Sequence, residues 1–286
     1  MKIWIIGSGM LGRELHDIAL EQDHELSLTD REVSLLDIIA LTNHAASFKP
    51  EAVINCAAYT AVDKAESESQ AAFAINAQGP LNLAHLTAQL NIPLVHISTD
   101  YVFTGLKSGP LQEDDPTGPS SVYGKSKLLG EQNIQEQAPR HYILRTSWLY
   151  GKYGPNFVKT MLRLMNEKPE LKIVNDQEGC PTWTRDLASA ILTILKLKPQ
   201  YGVYHYANEG VTTWFGFASE ILKLAQQKQL LKQNPKLMPV STAEFPTPAT
   251  RPKNSALSKQ KIKSACNLKI PLWQQSLNSY LSDPYE

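Results

Sequence analysis

Lys2-Ile3-Trp4-Ile5-Ile6-Gly7-Ser8-Gly9-Met10-Leu11-Gly12 opens the chain, and the rest of the sequence can be read outward from it. The apolar run to Ile6 reads as a buried strand, and the glycines lead into a helical pattern carried by Leu15, Ile18 and Ala19. Strand, glycine turn and helix follow in the order that a dinucleotide fold requires. Gly7 permits the tight turn, Gly9 lets backbone approach a pyrophosphate, and Gly12 lets helix and strand pack closely. The amides around Met10 and Leu11 then open the helix, where unpaired N–H groups and the helix dipole favour an anion. This predicts an α/β fold of Rossmann type, a doubly wound parallel sheet, with a smaller C-terminal substrate-binding lobe.

Moving outward, residues 25–29 read as the second strand, ending at Asp30-Arg31. An acid about twenty residues beyond the glycines holds the adenosine ribose hydroxyls, and an arginine beside it accepts a 2′-phosphate. Both are present, so the cofactor is expected to be NADPH or NADH. Asp37 begins the next helical segment and, with Ile38, is assigned to the adenine side. Residues 52–58 form another apolar strand closing in small residues, and Ala57 and Ala58, with Thr60 after them, leave room for the cofactor. Residues 71–77 and 81–90 read as helices, and residues 94–99 as a strand from which Thr99 emerges at the crevice. His96 reads as a packed strand residue. The Gly-, Pro- and Asp-rich stretch 105–119 reads as a loop crossing the crevice, and residues 142–151 as a further strand.

Beyond Gly151 the alternation loosens. Helices are expected at 157–166, 187–195 and 214–227, the last with Phe217, Ile221, Leu222 and Leu224 as its core stripe. Strands are expected at 171–174 and 203–207, the latter joining either the sheet or the second lobe. The division predicted is a dinucleotide-binding lobe of residues 1–150 plus roughly 183–208, and a substrate lobe of 151–182 and 209–286.

Tyr123 and Lys127 stand four residues apart in Ser-Val-Tyr-Gly-Lys-Ser-Lys. On a helix that spacing stacks both side chains on one face. A phenol is a poor acid, with a reference pKa of roughly 10, and a nearby ammonium favours its phenolate. The pair therefore suits proton transfer, although the same spacing also occurs on ordinary amphipathic helices.

Among 286 residues, Lys plus Arg and Asp plus Glu each number 28, so no net charge draws the chain toward nucleic acid or an anionic membrane. No apolar run is long enough to span a bilayer. Cys56, Cys180 and Cys266 have no metal-type spacing and fit a reduced, cytoplasmic setting.

Residues 55–68 (NCAAYTAVDKAESE), 98–103 (STDYVF), 122–127 (VYGKSK), 145–150 (RTSWLY), 175–182 (NDQEGCPT) and 246–255 (PTPATRPKNS) resemble motifs of the extended short-chain dehydrogenase/reductase superfamily. Within it they are similar to the family of dTDP-4-dehydrorhamnose reductases. The resemblance runs from the N-terminal glycines to about Trp273. It implies NAD(P)H-dependent reduction of the 4-keto group of dTDP-4-dehydro-L-rhamnose by a triad of Thr99, Tyr123 and Lys127, with Lys127 also on the nicotinamide ribose. It places Trp148 beside the hexose and Arg251 with Asn254 at the nucleotide end. The glycine turn departs from the family's Gly-x-x-Gly-x-x-Gly, so the cofactor loop is expected to differ in detail. Glu14 matches a position from which dimeric members hold magnesium, but Arg185 stands where another glutamate would. No obligatory metal is expected, and the chain is read as a monomer or homodimer. Dehydratases of this fold carry Asp-Glu after the threonine, whereas Asp100 is followed by Tyr101, which favours net reduction. The alternatives are a reductase of another nucleotide-linked 4-keto-6-deoxy sugar, and a non-catalytic regulatory subunit similar to that of methionine adenosyltransferase, against which the intact triad speaks.

Overall fold

In the computed structural model, which describes residues 1–282, the strands are β1 Lys2–Ile6, β2 Glu25–Thr29, β3 Ala52–Asn55, β4 Leu94–Thr99, β5 His141–Thr146, β6 Leu149–Tyr150, β7 Glu170–Val174, β8 Glu178–Gly179, β9 Thr182–Trp183, β10 Gly202–His205, β11 Thr212–Thr213, β12 Lys236–Val240 and β13 Asn254–Ser255. The helices are α1 Met10–Leu20, α2 Ile38–Phe48, α3 Val62–Ala65, α4 Ser69–Phe73, α5 Gly79–Leu90, α6 Val122–Gln137, α7 Phe157–Glu167, α8 Thr184–Leu197, α9 Trp214–Gln227, α10 Gln260–Cys266 and α11 Trp273–Ser282. The last four residues of the expected substrate lobe lie outside the described residues.

The central sheet is parallel throughout, in the order β10-β5-β4-β3-β1-β2. Strand order reverses between β1 and β3, and an open α/β sheet binds ligands at the carboxyl ends beside such a reversal. Strands covered on both faces read as continuous apolar runs; Ile3, Trp4, Ile5, Val53 and Ile54 are indeed all inaccessible to solvent. One face packs on α1 and α8 through Leu15, Ile18, Leu187 and Ile191. The other packs on α2, α5 and α6 through Leu41, Leu83 and Ile134. The segment from Thr184 to His205 returns to this sheet, since β10 pairs with β5 in parallel register. A separate core of Val158, Met161, Phe217, Ile221, Trp273 and Leu277 unites α7, α9 and α11, beside which β7 pairs with β12.

Three details differ from the sequence expectation. The strand expected at 142–151 is broken at Trp148, φ +49°, into β5 and β6, which belong to different sheets. The helices expected at 71–77 and 81–90 form one run, interrupted by a π-helical turn at Ala74–Gln78. That turn sets Asn76 facing inward, where its side chain accepts from Tyr59 N at 2.8 Å and donates to Tyr59 O and Ser126 Oγ, each at 3.0 Å. The loop 105–119 does not cross the crevice. It is drawn toward the C-terminal lobe because Asn254 Nδ2 donates to the carbonyls of Lys107 and Gly109 at 2.6 and 2.7 Å, and Leu111 bridges to Leu257. No helix among the described residues is long and apolar enough to cross a membrane.

Candidate active site

The carboxyl ends of β1, β3, β4 and β5 open into a cleft of about 1080 Å³. That exceeds a typical drug-sized site and suits a dinucleotide together with a second ligand. At β1 the chain turns through Gly7 at φ +99°, where a Cβ would lie 2.5 Å from Ala57 N. A Cβ on Gly12 would lie 1.8 Å from the Gly7 carbonyl oxygen, whereas one on Gly9 would meet no protein atom within 4 Å. The first and third glycines are thus needed for packing, and the second keeps the cleft side clear. Gly9 is the N-cap of α1 and brings no side-chain cap, so the opening amides are left for an anion. These observations fit a dinucleotide pyrophosphate. Gly7, Gly9, Met10, Leu11, Asp30, Arg31, Ala57, Ala58 and Thr60 all line the cleft. Asp30 Oδ2 accepts from both the Ser8 amide, at 3.2 Å, and the Ser8 hydroxyl, a contact that ties the second strand to the glycine turn.

Three expected cofactor residues stand back from that wall. Gly12 is buried behind it. Asp37 is the N-cap of α2 and accepts from Ile39 N and Ala40 N, both at 3.0 Å, so its carboxylate serves the helix. Ile38, in the first turn behind it, is 46% exposed.

On the opposite wall are Thr99, Tyr123 and Lys127. Ser121 caps α6 by accepting from Gly124 N at 3.1 Å, which starts the helix one residue before the tyrosine. Thr99 Oγ1 donates to Asp100 Oδ1 at 2.9 Å and accepts from Tyr101 N at 3.2 Å. Burial pushes the Tyr123 phenol up to about 12, while its hydrogen bond with Thr99 acts in the opposite direction. Burial likewise raises Asp100 to about 6, against hydrogen bonds from Ser255 and Thr99. Lys127 is engaged elsewhere than the phenol. Its Nζ donates to the Ile97 carbonyl at 2.7 Å and lies 3.2 Å from His96 Nε2. Helical spacing alone suggests that Lys127 lowers the Tyr123 pKa. Burial dominates in the structure because the hydrogen-bond partners of Lys127 come from β4.

The far end of the cleft is aromatic. Trp148 stacks on Trp214 with ring centroids 3.6 Å apart and planes 9° from parallel, and both line the cleft. Sequence spacing puts Trp214 at the start of α9 without indicating a role, because one sequence position cannot show that its ring meets a residue 66 positions earlier. Arg251 and Asn254 do not line this cleft. The Arg251 guanidinium is paired with Asp63 at 2.9 Å, and Asn254 is occupied with the 105–110 loop.

The family model described as RmlD substrate binding domain matches residues 1–285. A dTDP-4-dehydrorhamnose reductase of Aggregatibacter actinomycetemcomitans is 39% identical, covering 97% of each chain. The chain belongs to the dTDP-4-dehydrorhamnose reductase family. A dTDP-4-dehydrorhamnose reductase of Clostridium acetobutylicum has a structure that superposes with TM-score 0.92 at 41% identity, covering 99% of each chain. That of Bacillus anthracis, in complex with NADP, does so with TM-score 0.94 at 36% identity over 99% of each chain.

Glu14, for which the sequence resemblance raised a magnesium position, is only 5% exposed. Its carboxyl is raised by burial, with the Arg185 charge acting against the rise. Among the described residues, no group of three or more His, Cys, Asp or Glu side chains is placed to hold a metal.

Proposed function

We propose that this family member reduces the 4-keto group of dTDP-4-dehydro-L-rhamnose to give dTDP-L-rhamnose, with NADPH as the preferred coenzyme and NADH as the alternative. The observation that carries the reading is the convergence, on one cleft, of an uncapped helix N-terminus behind a glycine turn and the Thr99, Tyr123 and Lys127 side chains. Arg31, exposed on the adenosine wall beside Asp30, supports NADPH through charge attraction to a 2′-phosphate.

When bound, the coenzyme supplies the hydride for the carbonyl carbon. The protein's own part is placement and proton supply. Gly9 and the opening amides of α1 receive the pyrophosphate. Tyr123, neutral because its phenol is raised by burial, gives its proton to the carbonyl oxygen as negative charge develops there. Thr99 orients the phenol and, on turning its single hydroxyl hydrogen from Asp100 Oδ1 to the same oxygen, stabilises the developing oxyanion. Lys127 balances the resulting phenolate. The Trp148–Trp214 stack gives the hexose a flat apolar wall. Arg251, beside Tyr101, is assigned to the nucleotide end, where release from Asp63 lets it meet a phosphate; Asn254 is assigned to that end through its hold on the 105–110 loop.

The substrate lobe is taken as residues 151–182 and 209–286. The three thiols are free and fit a cytoplasmic enzyme, monomer or homodimer, which sedimentation distinguishes. The test is loss of nicotinamide absorbance when NADPH, the protein and dTDP-4-dehydro-L-rhamnose are mixed, with NADH in parallel. Turnover only with the complete mixture is expected. Firm NADPH binding with no reduction of this sugar, or of other nucleotide-linked 4-keto-6-deoxy sugars, overturns the reading.

A further inference from the structure

Asn55 closes β3, His96 lies within β4 and Lys127 lies in the second turn of α6; their exposures are 1%, 0% and 1%. The backbone amide of Ala57 donates to Asn55 Oδ1 at 3.1 Å. A main-chain N–H can only donate, so this contact identifies the amide oxygen of Asn55 and leaves its Nδ2 facing His96 Nδ1 at 3.0 Å. His96 Nδ1 therefore accepts. Burial, the leading cause, drives His96 well below the usual imidazole pKa. The ring is thus neutral and carries its single proton on Nε2.

That N–H faces Lys127 Nζ, 3.2 Å away. An ammonium has three donors and no lone pair, so a charged Lys127 would set donor against donor in a buried site. A neutral amine removes the conflict. Its lone pair accepts from His96, while one of its own hydrogens is donated to the Ile97 carbonyl at 2.7 Å. Turning the Asn55 amide over would let His96 accept from an ammonium, but it would put Asn55 Nδ2 against the Ala57 N–H.

We propose that His96 is a positioning residue that holds Lys127 as a neutral amine against β4, so that Lys127 must leave His96 and take up a proton when bound coenzyme or a Tyr123 phenolate draws it across the cleft. The inference deepens the reductase reading and rests on it for the role of Lys127. The other ionisable groups acting on Lys127 are Glu131, one turn further along α6, and Cys56, just beyond β3. Glu131 is committed to Arg145 of β5 at 2.7 Å, and burial raises the Cys56 thiol to about 12. Tyr123 lies one turn earlier on α6. Burial lowers Lys127, the direction that the hydrogen-bond geometry requires, against the opposing effects of Glu131 and Cys56.

The test reads the tautomer directly. In protein labelled with ¹⁵N-histidine, the His96 ring is expected to show the Nε2–H form, without titrating, from about pH 6 to about pH 8. Binding of NADP⁺ in that same pH range is expected to take up a proton from buffer, seen as a binding heat that depends on the buffer's ionisation enthalpy. Asn55→Asp keeps an acceptor for Ala57 N and offers His96 a second one. It should move the ring proton to Nδ1, let Lys127 stay charged and reduce the proton uptake to near zero.

An Nδ1–H or doubly protonated ring in the unaltered protein overturns the proposal, and that measurement needs no variant. So does proton uptake that persists in Asn55→Asp after its ring has changed tautomer. Neither readout requires turnover. An Nε2–H ring with buffer-dependent proton uptake, in a protein that reduces no keto-sugar, would count against the function and leave the His96 assignment standing.

Discussion

Replacing Trp214 with alanine removes a ring whose centroid lies 3.6 Å from that of Trp148. Trp148 sits at φ +49°, a left-handed conformation that costs a bulky residue on the order of 1 kcal/mol or more and persists only where its surroundings hold it. Those surroundings are Trp214 on one side and Gly179 on the other, where a Cβ would come within 2.5 Å of the indole. An aromatic pair contributes about 0.5–1.5 kcal/mol beyond its area. Losing the pair and letting Trp148 relax should therefore cost substrate binding about 1–2 kcal/mol, or roughly fivefold to thirtyfold in KM. Tyr123 stands on α6, with Ser126 held by Asn76, so kcat is expected to change less than KM. The assay pairs steady-state kinetics for the keto-sugar with circular dichroism, because two stacked indoles give an exciton couplet. The expected result is loss of the couplet, a raised KM and unchanged NADPH affinity. Loss of the couplet with KM unchanged would refute the assignment of this wall to the hexose.

Tyr123→Phe removes the proton donor and little volume. It should lower turnover by roughly 10²–10⁴-fold while NADPH binding, followed by fluorescence, stays near the parent value; near-parental turnover excludes the donor role. Gly9→Ala meets no protein atom within 4 Å, so it should melt like the parent yet bind NADPH poorly. Gly7→Ala combines φ +99° with a contact of 2.5 Å and should lose stability as well, and equal melting of the two variants would contradict this distinction. Asp100, raised by burial to about 6, binds its proton more tightly folded than unfolded. Its contribution to stability is therefore greatest below its unfolded pKa and is lost as pH rises from about 4 to about 6, by on the order of 3 kcal/mol. Asp100→Asn should remove that component from the pH dependence of urea unfolding, and identical pH dependence in the two proteins would count against a buried, raised carboxyl.

Much of this was legible locally. The alternation of apolar runs with amphipathic stretches identified the main elements, and α9 occupies Trp214–Gln227 as its spacing required. The glycine turn was readable because its demands lie within a few residues: a left-handed position at Gly7 and a close helix approach at Gly12. His96 was recognisable as a buried strand residue, but its link to Lys127 was not. The Trp148–Trp214 wall, the inward face of Asn76 and the withdrawal of the 105–119 loop likewise depend on partners far along the chain.

By itself, then, the sequence determined the parallel α/β architecture, the glycine turn and the helix bearing Tyr123, since backbone geometry and side-chain period act over a turn or two. Tertiary structure alone decided where Lys127 points and which side chains flank Trp148. A buried polar group goes where a partner satisfies it, and for Lys127 those partners, Ile97 and His96 with Asn55 behind, come from strands that only the folded sheet brings beside α6.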